Sequence, residues 1–161
     1  MKLKEEDNML SEKYLLGHAE IQDIDFWIKM INIVQENFPG LETTEKIEDY
    51  RQTVIKNIKR KTALCVKNEG EIVGVLLFSY NSKCLSCMAV HPNHRRKGIA
   101  SAMIEKMLSL LPNNIDISVT TFRKNDEKGI APRQLYKKYG FEEDELLTEF
   151  DYPVQRFILH K

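Results

Sequence analysis

The sequence predicts an α/β (α+β) fold, with one mixed sheet covered by helices on both faces. Strand-like and helix-like periodicities alternate along the chain, and a strand–loop–helix–strand unit lies at its centre. The length of 161 residues fits one domain. No internal repeat or low-complexity linker divides it, so residues 1–161 are taken as a single domain, with residues 1–12 expected to be disordered.

The first half of the chain predicts two helices and four strands. Trp27, Ile31 and Val34 recur at helical spacing, and the pair Pro39-Gly40 is a helix stop signal. A second stripe at helical spacing consists of Ile47, Tyr50, Val54 and Ile58. The predicted strands are residues 13–20, 63–68, 71–80 and 84–90, the second and third joined by a turn at 68–70. The last of these ends at His91-Pro92, because proline cannot donate to a strand ladder.

The second half predicts two more helices and three strands. The segment GIASAMIEKMLSLL carries two neighbouring apolar rows and is closed by Pro112. Alternating apolar residues then predict a strand over 115–122. A short helix, PRQLYKKY, begins with Pro132 in the favoured first position and stops at Gly140. Residues 142–160 add a terminal pair of strands.

Composition limits the function classes that the chain can serve. Lys plus Arg and Asp plus Glu number 24 each, so no global charge recruits nucleic acid or an anionic membrane. The basic triplets at 59–61 and 95–97 are the only basis for a nucleic-acid binder, an alternative that balanced charge disfavours. The longest apolar run, IVGVLLF, is far below the roughly 18 residues of a membrane span. The charged start, MKLKEEDNML, is unlike a signal peptide, and we expect a cytoplasmic protein.

Two cysteines and two histidines lie at a spacing that superficially resembles a zinc site. Cys84, Cys87, His91 and His94 give the pattern C-x2-C-x3-H-x2-H. The intervening segment CLSCMAV reads as a strand, in which residues three apart point to opposite faces. The sequence therefore predicts two reduced, diverging thiols and no metal.

The segment HPNHRRKGIASAM places dense positive charge where a helix begins. The first N–H groups of a helix have no internal partner, and the helix dipole adds partial positive charge there. A phosphate is favoured at such a point, and Gly98 permits close approach of backbone and ligand. Arg95, Arg96 and Lys97 add full charges. The alternative is a helix start whose basic residues are simply solvated.

Two motifs in order resemble the GNAT superfamily of N-acetyltransferases. The stretch AVHPNHRRKGIASAMIEKML resembles the acetyl-CoA loop of that family, whose pattern [Q/R]-x-x-G-x-[G/A] is matched by Arg95, Gly98 and Ala100. The segment LYKKYGF resembles the second signature, a short helix ending in Gly-Phe. The resemblance covers a core of residues 63–141. It implies a mixed, mostly antiparallel sheet of about six to seven strands, in which the fourth strand carries a bulge and splays from the fifth.

The resemblance also implies a site for acetyl-CoA as co-substrate. Pantetheine would lie in the gap beside the fourth strand, and the pyrophosphate would sit on N–H groups of residues 96–101. A bulge leaves main-chain groups free for such a ligand. The residues implied in cofactor binding are Met88, Ala89, Val90, Arg95, Arg96, Lys97, Gly98, Ile99, Ala100 and Ser101.

The implied chemistry is direct attack of a primary amine on the acetyl group. By resemblance, Tyr136 protonates the departing CoA thiolate as general acid, with Tyr139 as its backup. Two positions depart from the family pattern, which often has Asn and Ala where this chain has Gly129 and Pro132. The usual asparagine contact is then replaced by backbone or by Lys128.

The acceptor and the general base are left open by the sequence. Glu36, Glu42 and Asp49 lie in the region that shapes the acceptor pocket, but such carboxylates are usually solvated. The acidic segment EEDELLTEFD could attract a cationic amine. A small-molecule or peptide amine remains the expected substrate. The protein is expected to be a monomer or a homodimer. The alternative function is a non-catalytic acyl-CoA-binding sensor or interaction module.

Overall fold

A seven-stranded sheet forms the centre of the protein, in a computed structural model that describes residues 10–161. Its strands are β1 (Tyr14–His18), β2 (Ala63–Asn68), β3 (Glu71–Ser79), β4 (Cys84–Val90), β5 (Asp116–Phe122), β6 (Glu142–Glu149) and β7 (Tyr152–His160). The strands lie in the order β1-β2-β3-β4-β5-β7-β6, and all neighbours are antiparallel except β4 and β5. The predicted mixed, mostly antiparallel sheet is thereby confirmed. The predicted disorder of residues 1–12 falls mainly on residues 1–9, outside the described part of the chain.

Helices cover both faces of the sheet, as predicted. They are α1 (Ile24–Val34), α2 (Thr44–Arg60), α3 (Ile99–Leu110) and α4 (Ile130–Lys138). The helices α1 and α2 pack on one face, where Trp27, Val54 and Cys65 share one buried cluster. The helices α3 and α4 pack on the other, where Met103 and Tyr136 belong to a second cluster. Central strands buried on both faces need continuous apolar runs, which explains IVGVLLF in β3. No helix within residues 10–161 is long and apolar enough to cross a membrane.

The start of α4 differs from the prediction. The helix begins at Ile130, so that Pro132 is its third residue and not its first. Proline is tolerated there because the N–H groups of the first turn have no intrahelical acceptor anyway. Arg133 then fixes α4 to the sheet. Its guanidinium is buried and donates to the Phe122 carbonyl at 3.0 Å and to Gln155 Oε1 at 2.8 Å.

Gly74 in β3 allows the first turn of α3 to lie directly against the sheet. A Cβ added at this position would lie 2.6 Å from Ile99 Cγ2, closer than side-chain carbons approach in proteins. We expect Gly74→Ala to lower the free energy of unfolding by about 1–3 kcal/mol, the usual cost of overpacking a core. Chemical denaturation measures this loss. The matched control is Gly17→Ala in β1, where an added Cβ meets nothing within 4 Å. Equal losses in the two variants would contradict the tight Gly74 contact.

Candidate functional site

The sheet opens between β4 and β5. These two strands pair only at Cys84 with Ser118 and at Leu85 with Val119. Beyond these pairs, residues 87–90 of β4 remain paired with β3 but have no ladder to β5. The splay that the family resemblance implied is therefore present, and it leaves one edge of β4 without a strand partner.

A β-bulge at Ser86 turns the side chains that follow it. Leu77 of β3 pairs with Cys87 while its neighbour Phe78 pairs with Leu85, so Ser86 is the extra residue. Leu85 packs in the cluster under α3 and α4, whereas Cys87 packs against the cluster under α1 and α2. The bulge interrupts strand alternation between Cys84 and Cys87. The regular alternation on which the predicted divergence of these thiols rested is therefore absent.

The two thiols make different contacts. Cys87 Sγ lies 3.4 Å from the Tyr50 hydroxyl, which accepts a hydrogen bond from Trp27 Nε1 at 3.0 Å. Burial raises the pKa of the Cys87 thiol to about 11, so it stays protonated at neutral pH. Cys84 Sγ lies 3.5 Å from Ser86 Oγ. Within residues 10–161, no group of three or more His, Cys, Asp or Glu side chains is placed to hold a metal.

The loop from β4 to α3 presents unpaired backbone donors. The helix ladder begins where the N–H of Ala102 donates to the Gly98 carbonyl at 3.0 Å. The N–H groups of Ile99, Ala100 and Ser101 have no acceptor among the described residues. Gly98 has a left-handed φ of +80°, and a Cβ there would meet no atom of the described residues within 4 Å, its chain neighbours apart. The geometry is that of an anion cradle that a side chain would fill.

His94 connects this loop to the first strand. Its Nδ1 lies 2.9 Å from the hydroxyl of Tyr14, which is buried in β1. Burial lowers the pKa of His94, and the nearby His91 and Lys13 lower it further, which favours the neutral imidazole. No local pattern indicates a contact between residues 80 positions apart, because this contact depends on the packing of β1 beside the loop.

One cavity of about 760 Å³ joins the open edge of β4 to the cradle of α3 and to α4. It is lined by nearly all the predicted site residues: Met88, Ala89, Val90, Arg95, Arg96, Gly98, Ile99, Ala100, Ser101 and Tyr136. Lys97 and Tyr139 do not line it. Sequence reasoning missed the aromatic residues of the other wall, Phe38 and Phe150.

Tyr136 and Tyr139 point to different surroundings. The Tyr136 ring packs beside Phe141 and Phe157, with centroid distances of 5.8 and 6.3 Å. Burial raises the pKa of Tyr136, and the Cys87 thiol adds to the effect, so the phenol is protonated at neutral pH. Tyr139 instead donates to Glu105 Oε1 on α3 at 3.1 Å. Only Tyr136 therefore lies at the cavity.

The comparisons with known proteins agree with this geometry. The family profile described as "Acetyltransferase (GNAT) domain" matches residues 59–143, more than half of the 161 residues. The chain belongs to the GNAT acetyltransferase family. Members of this family use acetyl-CoA as co-substrate. By sequence, no curated protein matches the chain significantly.

Solved GNAT structures share the fold. A GNAT acetyltransferase from Bacillus cereus ATCC 10987 is 24% identical, with a TM-score of 0.71 over 92% of this chain and 97% of that one. An N-acetyltransferase from Staphylococcus aureus Mu50 is 17% identical, with a TM-score of 0.71 over 91% and 98%. The microcin C7 self-immunity acetyltransferase MccE, in complex with acetyl-CoA and AMP, is 13% identical, with a TM-score of 0.66 over 94% of both chains. At these identities the likeness concerns the fold alone.

The GNAT co-substrate fits the residues present. The unpaired N–H groups at the start of α3 suit a pyrophosphate, and the exposed Arg95 and Arg96 add positive charge beside them. The unpaired edge of β4 suits the amide groups of a pantetheine arm, because β4 offers backbone donors and acceptors there. A thioester group is uncharged, and the apolar walls of the cavity suit it.

The position that often holds asparagine in GNAT proteins is tightly packed here. A Cβ added to Gly129 would lie 3.0 Å from Phe122 Cβ and 3.2 Å from the Arg123 carbonyl oxygen. Pro132 and Lys128 both line the cavity. The Lys128 ammonium, however, donates to the Glu36 carbonyl at 3.2 Å and so ties the β5–α4 loop to the end of α1.

The carboxylates that the sequence suggested for the acceptor region lie outside the cavity. Glu36, Glu42 and Asp49 are exposed and do not line it. The Gly40 N–H and the Lys46 ammonium bind Glu42 and lower the pKa of its carboxyl to about 2. The acidic residues that do line the cavity, among residues 10–161, are Glu127 and Glu149, the second of which belongs to the predicted acidic segment.

Proposed function

We propose that the protein is an N-acetyltransferase that moves an acetyl group from acetyl-CoA to a primary amine by direct attack. The supporting observation is a single cavity that joins three features. They are the unpaired edge of β4, the glycine-led start of α3 and the ring of Tyr136. The amine is a small molecule or a peptide terminus. The protein itself is proposed to be a monomer or a homodimer. Three free cysteines, one of them buried, suit a reducing compartment, so the proposed location is the cytoplasm.

The chain's own residues divide the binding of acetyl-CoA between them. The pyrophosphate is assigned to the N–H groups of residues 96–101, with Arg95, Arg96 and Lys97 supplying charge. The Ser101 hydroxyl can donate to the same phosphates. Backbone groups of Met88, Ala89 and Val90 pair with the pantetheine arm, because this part of β4 has no partner on the β5 side.

Tyr136 is the proposed general acid. Bound acetyl-CoA supplies the activated carbonyl and the thiolate leaving group. Because burial keeps the Tyr136 phenol protonated, its hydroxyl has a proton to donate as charge develops on the sulfur. Tyr139 is the weaker candidate, since its hydroxyl bonds to α3.

The acceptor amine must lose a proton, because only the neutral amine is a nucleophile. The Cys87 thiol has a raised pKa and is itself protonated, so it does not serve as the base. Glu127 and Glu149 line the cavity, and their carboxylates are the proposed acceptors of that proton, directly or through water.

CoA should raise the melting temperature of the purified protein, since a ligand that binds only the folded state stabilises it. We expect ADP to compete with CoA and free pantetheine to compete poorly, because the pyrophosphate cradle supplies charge-assisted bonds. With acetyl-CoA and a panel of primary amines, thiol release should exceed the amine-free rate. Binding without thiol release for any amine would favour the sensor, and absence of CoA binding would overturn both functions.

A further inference from the structure

The turn between β6 and β7 holds a bulky aromatic residue in an unfavourable backbone conformation. Phe150 and Asp151 have φ values of +51° and +61° and connect the paired residues Glu149 and Tyr152. Two-residue hairpin turns of this left-handed type favour Asn and Gly, which tolerate positive φ. A bulky side chain at positive φ is an outlier, and such outliers cluster at functional sites.

Burial does not explain the phenylalanine. Phe150 is 70% exposed, so its ring gives the folded protein little hydrophobic stabilisation. The ring nevertheless lies over Gly40, where an added Cβ would be 3.0 Å from its nearest atoms. A glycine in the α1–α2 connection thus makes room for an aromatic side chain at the tip of a distant hairpin.

Phe150 completes an apolar end of the cavity. Val34, Phe38 and Pro39, from the end of α1 and the connection after it, line the same cavity. Glu149, which also lines the cavity, directly precedes Phe150 in the chain. The cavity thus has an aromatic wall beside one carboxylate, at the end that α1 and the β6–β7 hairpin form.

We propose that Phe150 determines acceptor specificity, and that the acceptor is a primary amine carried on an aromatic or large apolar group. This inference rests on the proposed acetyltransferase function and adds the class of its substrate. The apolar body packs against Phe150 and Phe38, while Glu149 attracts the amine. A polyamine fits less well, because among residues 10–161 only two acidic residues line the cavity, and Lys128 supplies opposing charge there.

The variant Phe150→Asn tests this role, because asparagine tolerates the turn and lacks the ring. With phenethylamine as acceptor, KM should rise about tenfold or more, the scale expected for loss of an aromatic contact. With ethanolamine as acceptor, both kcat and KM should change little. The melting temperature should not fall, because backbone strain is relieved. If the ring served only packing, the Phe150→Asn protein would instead be less stable, and the KM values of all acceptors would change alike.

Asp151→Gly is the matched control, since it relieves strain in the same turn and retains the phenylalanine. It should leave the KM for phenethylamine unchanged. A second readout is calorimetric titration of phenethylamine into the CoA-bound protein, where the dissociation constant should rise in Phe150→Asn and not in Asp151→Gly. Equal changes in the two variants would overturn the proposal.

A comparison of three acceptors distinguishes a small-molecule amine from a peptide amine. It also distinguishes failure of the proposed acceptor class from failure of the acetyltransferase function. Phenethylamine represents a small molecule, a phenylalanine-led tripeptide represents a peptide terminus, and spermidine represents a polyamine. Higher kcat/KM for either aromatic acceptor than for spermidine supports the proposal. Preference for spermidine would overturn the acceptor class and leave the acetyltransferase function standing. CoA binding without acetylation of any amine would overturn both.

Discussion

A Gly98→Val protein is expected to fold and yet to gain no thermal stability from CoA. Gly98 has a φ of +80° and lines the cavity at the start of α3, so a valine side chain would occupy space that the ligand needs there. Apart from its two chain neighbours, no atom of residues 10–161 lies within 4 Å of that Cβ, so the added Cβ meets no internal clash. The cost to the fold is the left-handed conformation itself, about 1–2 kcal/mol. The cost to the ligand is loss of close backbone approach to its phosphates.

Gly70→Val is the control that separates these two costs. Gly70 lies in the β2–β3 turn with a φ of +82°, nothing lies within 4 Å of its added Cβ, and it does not line the cavity. Both variants should therefore lose similar stability in denaturant titrations. Only Gly98→Val should lose the CoA-induced shift in melting temperature. A folded Gly98→Val protein with wild-type CoA affinity would remove the pyrophosphate site from this loop.

The elements of the fold could be predicted because their signals are local. Apolar spacing and turn residues depend on neighbours in the chain, and they located α2, the strand at 84–90 and the helix stop at Gly140. The acetyl-CoA loop was predictable for the same reason. Its charge, its glycine and the following helix lie within one short segment, and most of its residues line the cavity.

Register and packing between distant segments could not be predicted in this way. The bulge at Ser86 depends on how β4 pairs with β3. The family resemblance implied a bulge in this strand, but nothing in the segment CLSCMAV indicates which residue is the extra one. The bulge reverses the side to which Cys87 points, and so invalidates an inference based on regular alternation.

The acceptor wall was missed for a related reason. Phe150 meets Gly40 across 110 positions of sequence, and Lys128 donates to the Glu36 carbonyl across 92. Each contact requires the β6–β7 hairpin or the β5–α4 loop to lie against the end of α1. The sequence did offer a signal in the Phe-Asp pair between two strands, since a hairpin turn without Gly or Asn is unusual.

Tyr136→Phe should lower kcat by roughly 100-fold or more while leaving CoA binding almost unchanged, within the range of general acid catalysis. The substitution removes only a hydroxyl, so the ring should keep its packing beside Phe141 and Phe157. Steady-state kinetics should show equal losses in kcat and kcat/KM, as expected for an interaction made only in the transition state. CoA thermal shifts should match those of the wild type.

Tyr139→Phe is the matched control, because it removes a hydroxyl whose partners are Glu105 and the Ser101 carbonyl on α3. It should change kcat far less. The pH profile adds a further check. Burial raises the pKa of Tyr136, so its ionisation should not produce a fall in kcat on the alkaline side of neutral pH. A fully active Tyr136→Phe enzyme would mean that water or Tyr139 is the general acid. The double variant Tyr136→Phe/Tyr139→Phe would then distinguish these two sources of the proton.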